Sequence, residues 1–72
     1  MAAWSRPVSS SMVSEVAYDV DSQELIVTWA KGGKRSAYAG VPEGLADELS
    51  RAPSVGSMIN SDIKPFYPHR YV

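Results

Sequence analysis

The 72-residue chain contains no cysteine. Disulfides, thiolate nucleophiles and multi-cysteine zinc sites are therefore excluded. Histidine occurs once, as His69. A serine- or metal-based centre built on it would need partners held beside it, and an exposed tail histidine is the favoured reading. No apolar run reaches the length of a secretory core or a membrane span, so the expectation is a cytoplasmic chain with no membrane partner. Charge of one sign is also missing: the net charge is -1. A dedicated nucleic-acid binder usually carries a basic stripe, so the overall balance speaks against that role and leaves only a local patch open.

What remains is an ordinary globular composition, 44% hydrophobic and 21% charged. A single core of this size is only marginally stable, so stability must come from packing, from an oligomer or from a partner. Residues 1–7 read as a flexible arm, interrupted by Pro7, in which Trp4 alone can anchor to the domain or to a neighbour. Residues 8–68 read as one domain and 69–72 as a tail. There is no internal repeat.

From Met12 the pattern has a period of two. Val16, Tyr18 and Val20 alternate with Glu15 and Asp19, as a half-buried strand requires. Leu25-Ile26-Val27-Thr28-Trp29 is a second, β-branched run. The dipeptide Gly32-Gly33 signals a hairpin, because its turn needs positive φ. Arg35 to Gly40 is the third strand. A two-residue Asp21-Ser22 loop pairs Tyr18 with Leu25, Val16 with Val27 and Ser14 with Trp29. A two-residue Gly32-Gly33 loop pairs Trp29 with Ser36, Val27 with Tyr38 and Leu25 with Gly40. Both put Val16, Tyr18, Leu25, Val27, Trp29 and Tyr38 on one face. The reverse face then holds Val13, Ala17, Ile26, Ala30, Ala37 and Ala39 beside Glu15, Glu24, Thr28 and Arg35. It is either open to water or a shallow site for the arm or another chain.

After Val41 the period turns helical. Pro42 and Glu43 suit a first turn, Leu45, Ala46, Leu49 and Ala52 share one side, and Pro53 ends the segment. Ser54 N-caps a shorter helix through Ser61, with Met58 and Ile59 inward, and Gly56 allows close approach to the sheet. The expected fold is α+β: a three-stranded antiparallel meander followed by two short helices packed on one sheet face.

Candidate functional residues are few. Lys31, Lys34 and Arg35 at the second hairpin suit a polyanion, although cations also guard turns and edges against aggregation. Asn60, Lys64 and Tyr67 combine an amide, a cation and an aromatic ring, a set able to hold a nucleotide; alternatively Asn60 caps the helix while Tyr67 packs on the sheet. Asp19, Asp21 and Glu24 cluster at the first turn without the spacing of an EF-hand. Ser54-Val55-Gly56-Ser57 lacks the strand and the glycine pattern of a nucleophile elbow. Gly32-Gly33 sits in a hairpin too tight for a phosphate cradle.

The ordered set Ser10-Ser11-Met12, Val16-Ala17-Tyr18-Asp19, Leu25-Ile26-Val27, Trp29, Gly33, Tyr38-Ala39-Gly40-Val41-Pro42, Ala52-Pro53-Ser54-Val55-Gly56, Asn60, Ile63 and Tyr67 resembles the KTSC domain over residues 8–67. That family is found at the C-terminus of some lysyl-tRNA synthetases and as small free-standing bacterial and phage proteins. The resemblance makes Tyr18, Trp29, Tyr38, Gly40, Pro42, Ser54 and Gly56 signature positions. One departs from pattern: the family's tyrosine-x-tyrosine pair is here Ser36 and Tyr38, with Trp29 expected to fill the space. The resemblance implies no assigned activity; RNA binding follows only from the synthetase context. The residues point to a non-catalytic interaction module with no cofactor and no metal, binding a protein partner or itself. The alternative is an RNA-binding accessory domain for tRNA or single-stranded RNA.

Overall fold

Val13 and Val16 are both fully buried although three residues apart. A regular strand would send them to opposite faces. The computed structural model, which describes residues 3–72, resolves this with a bulge at Ser14: Val13 pairs with Trp29 and Glu15 with Thr28. The extra residue turns Val13 onto the core side, not the reverse side expected from strict alternation.

The order of elements is β1 (Ala3–Pro7), β2 (Val13–Asp19), β3 (Glu24–Trp29), β4 (Arg35–Tyr38), α1 (Glu43–Ser50), α2 (Val55–Met58), a π turn (Ile59–Ile63) and β5 (His69–Tyr71). All five strands form one antiparallel sheet in chain order, β1-β2-β3-β4-β5. The class is α+β, but the meander has five strands rather than three. Ala3–Pro7 of the expected arm is an edge strand against β2, and the expected tail supplies the other edge. The remainder of the arm, residues 1–2, lies outside the described residues.

The first hairpin keeps the expected pairs Tyr18 with Leu25 and Val16 with Val27. Its loop spans the four residues between Asp19 and Glu24, with Gln23 at φ 57° and the Asp21 amide donating to the Asp19 carboxylate. The second hairpin is corrected by two residues. Tyr38 lies opposite Leu25 and Ser36 opposite Val27, and the Trp29 amide donates to the Lys34 carbonyl. Its loop is thus Ala30-Lys31-Gly32-Gly33, with both glycines at positive φ. A two-residue slip preserves the faces, because side chains alternate with period two.

Val16, Tyr18, Leu25, Val27 and Tyr38 are therefore all at most 1% exposed, with Trp29 half-buried on the same side. Val41, Ala46, Leu49, Val55, Ile59 and Ile63 close the core from the helical segment. The Tyr18 hydroxyl donates to the Val41 carbonyl, tying β2 to the entry of α1. Burial and the nearby Glu43 and Asp19 carboxylates raise the Tyr18 phenol above its ordinary pKa.

Pro42 precedes α1 as anticipated, but the Ser54 side chain makes no capping bond; only its carbonyl accepts, from Met58. Gly56 is buried against the Met12 side chain, with space for a Cβ only if the Met12 sulfur moves. The second helix continues past Ser61 as the π turn, closed by the Lys64 amide on the Ile59 carbonyl.

Candidate interaction surfaces

The edge strands fix two charged latches. On β1, Trp4 pairs with Tyr18 and Arg6 with Val16, so both side chains lie on the helix side. The Trp4 ring stands 5.8 Å from Tyr18, its indole N–H donates to Glu43, and the Arg6 guanidinium lies 4.3 Å from the Trp4 ring. Trp4 thus anchors the arm to its own domain. Arg6 also bonds Asp47 and, at 2.9 Å, the Ser50 hydroxyl. With Arg51 on its other oxygen, the hydrogen bond from Arg6 and both positive charges hold the Asp47 carboxyl below the usual range.

On β5, Arg70 pairs with Ala37 on the reverse face and reaches Glu24 at 2.7 Å. Glu24 is on β3, so the Arg70 stem must cross β4. The small Ala37 permits that crossing and is only 3% exposed beneath it. His69 and Tyr71 point to the helix side, where the His69 ring lies 5.2 Å from Tyr38 and 5.7 Å from Tyr71. Tyr38 titrates above its ordinary value because it is buried and faces Tyr71.

The structure separates the expected site residues into two groups. Lys31, Lys34 and Arg35 are exposed together at the β3–β4 tip. They and Lys64 form no ion pair among the described residues, whereas Arg6, Arg51 and Arg70 do. Asn60 and Lys64 are exposed on and just after the π turn, while Tyr67 packs against the core and is half-buried. Among the described residues no hydrogen bond joins the three, and the Asn60 side chain caps neither α2 nor the π turn. The described residues hold no group of three or more histidine and acidic side chains placed to bind a metal. No helix among them is long and apolar enough to cross a membrane.

The reverse sheet face emerges as the larger feature. Its central row runs across the strands as Ser5, Ala17, Ile26, Ala37 and Arg70. Helices cover only the other face, where the buried core lies. Ala3, Ser5, Ala17, Asp19 and Ile26 bound a shallow depression of about 330 Å³, and Ala37, Ala39, Pro68 and Arg70 a second of about 160 Å³. Asp19 and Glu24 edge this face at the first hairpin, and Glu15 and Arg35 edge it at the second. The alternation already marked Ala17, Ile26 and Ala37 as a common surface; the Arg70 strap was invisible because β5 is only three residues long.

Comparison with known proteins places these features in context. The family model for the KTSC domain matches residues 9–67. A crystal structure of a KTSC domain protein from Yersinia pestis is similar to this chain over 99% of each chain, at 31% identity and a TM-score of 0.87. Among curated proteins, no match is found.

Proposed function

The chain belongs to the KTSC domain family, and from that premise we propose that it is a small non-catalytic module that binds a protein partner across the open sheet face. One observation carries the reading: the helices are confined to one face, and the centre of the other is the half-buried pair Ala17 and Ile26, beside Ala37 beneath the Arg70 side chain. An antiparallel sheet facing only water usually alternates to polar residues there. A small apolar centre ringed by Asp19, Glu24, Glu15, Arg35 and Arg70 has the anatomy of an interface, apolar inside and charged at the rim. Side-chain photo-cross-linking tests it. A photoreactive residue at Ile26 should capture a protein, while the same residue at exposed Glu48 on α1 should not. Equal capture at the two positions, or none at either, would overturn the reading.

A second reading, an RNA-binding accessory domain, is favoured by Lys31, Lys34 and Arg35, gathered at one tip and without an ion pair among the described residues. Against it, Tyr67 has its ring partly in the core and cannot serve as a free stacking platform. Titration with single-stranded RNA and tRNA at two salt concentrations separates the readings. Salt-sensitive amide shifts at the tip would carry the RNA reading, with the slope of log K falling by about 0.7 per phosphate contact on a single strand.

A further inference from the structure

We infer that the outer edge of β4 is a docking groove for an extended segment of a protein partner, one whose basic residue is flanked by ring side chains, and that β5 is a built-in occupant which such a segment displaces. The inference goes beyond the proposed function and does not rest on the open face.

The two edge strands are held unequally. β1 is tied to the helix side by Trp4 on Tyr18 and Glu43, and by Arg6 on Asp47 and Ser50. β5 has three residues, all exposed; its side-chain ties are the His69 ring on Tyr38 and the Arg70–Glu24 ion pair, in which the Arg70 side chain is 64% exposed. An exposed pair contributes little, since water screens it and ordering two long side chains costs entropy. Tyr71 and the neighbouring Val72 are 70% and 61% exposed, so little apolar surface resists release. Across the seam, Ser36, Ala37 and Tyr38 are at most 3% exposed. β4 is therefore fixed in the domain, and the strand beside it is lightly held.

The seated β5 shows what the groove reads. The Ala39 amide donates to the Pro68 carbonyl and the Val72 amide to the Arg35 carbonyl, at the two ends of the seam. Lifted off alone, β5 would leave these β4 groups unpaired, the condition that recruits another strand. In strand addition the backbone bonds supply affinity and alternate side chains supply selectivity. The middle residue of β5 crosses the small Ala37 on the reverse face to reach the Glu24 carboxylate at 2.7 Å, a path that selects a long cation. The outer two lie on the helix side, where His69 stands 5.2 Å from the Tyr38 ring and 5.7 Å from Tyr71, a stack that selects flat rings.

A labelled synthetic peptide copying residues 67–72, titrated into the whole chain with amide-shift mapping, tests this. In the parent the groove is free only in the fraction of molecules with β5 released, and apparent affinity is weakened by that fraction. Arg70→Glu sets β5 against Glu24, so it should tighten apparent affinity at least about five-fold, with shifts at residues 35–39 and at Glu24. The same variant should prefer the unaltered peptide over a peptide carrying Arg70→Glu. Glu24→Lys should reverse that preference, which a merely loosened edge would not do. Combining the two substitutions in one chain rebuilds the pair and should return both peptides to the parent's weak binding. The inference is overturned if neither single variant binds peptide at about 1 mM, the range of effective concentration of a tethered strand. Shifts confined to Ala17 and Ile26 or to the helices, or equal preference for the two peptides in both variants, also overturn it. Exchange of β5 between copies, seen as a mass that rises with concentration while peptide fails to bind, overturns the assignment to a partner. Selective capture at Ile26 is read separately, so the open-face reading stands or falls on its own.

Discussion

Among the described residues Ser36 is the one non-aromatic polar side chain buried in the core, 1% exposed, and its hydroxyl accepts from the Trp29 indole at 2.9 Å. Ser36→Ala removes the acceptor and leaves the indole N–H without its partner. Because Trp29 is half-buried, water recovers part of that bond, which puts the loss at the low end, about 1 kcal/mol. Trp29→Phe instead strands the Ser36 hydroxyl in a dry site and also gives up ring volume, for about 2–4 kcal/mol in all. In the double variant neither group is orphaned, so the two changes should fall short of additivity by about 1 kcal/mol. A domain of this length holds only about 4–10 kcal/mol. Each kcal/mol should therefore be visible as about 4–8 °C in Tm. Urea unfolding of the four proteins measures the cycle directly. Full additivity within about 0.3 kcal/mol, or a Ser36→Ala variant as stable as the parent, would refute the assignment of this bond as the device that seats the indole.

Tyr18→Phe should cost about 1–3 kcal/mol by urea unfolding, since the Val41 carbonyl loses its buried donor and no void is made. The raised Tyr18 pKa makes its contribution complete below about pH 10, the ordinary pKa of a tyrosine phenol; stability should then fall as pH rises past that value, a fall flattened in the Phe variant. Asp47 behaves in the opposite sense: its depressed pKa supports folding above the usual carboxylate range, and that support is lost as pH drops through it toward the folded value. Arg6→Ala should flatten the acid limb of a stability–pH profile accordingly. Gly56→Ala should be close to neutral in Tm. Its Cβ would meet the Met12 sulfur at 2.8 Å, but that side chain is flexible and 49% exposed, and the helix gains about 1 kcal/mol over glycine.

The period-two pattern placed the core correctly because face membership survives any even slip. It misplaced Tyr38 by two residues for the same reason: nothing in alternation distinguishes Leu25 from Val27 as its neighbour. Register depended on loop length, and positive φ at Gly32 and Gly33 is compatible with a four-residue loop as well as a two-residue one. Val13 was assigned to the wrong face because a bulge leaves no residue-type signature at Ser14. The edge strands escaped notice for another reason. Ala3–Pro7 and His69–Tyr71 contain proline at or beside an end and too few residues to show a period, so tertiary pairing defines them. Of the expected site residues, the tip cations were legible as a run in the chain. Asn60, Lys64 and Tyr67 were not separable from sequence, since only packing shows that Tyr67 turns inward.

Spatial order along the sheet follows chain order, with one long return: β5 reaches β4 only after the entire helical segment has been laid down. Ribbon growth from β1 through β4 needs only short loop closures, whereas docking of the last strand carries the entropy of the intervening chain. The last piece to arrive is also held by the fewest residues. Amide exchange at Ala39 and Val72, whose N–H groups bond across that seam, should therefore outrun exchange in β2 and β3, marking a hinge from which the molecule begins to come apart.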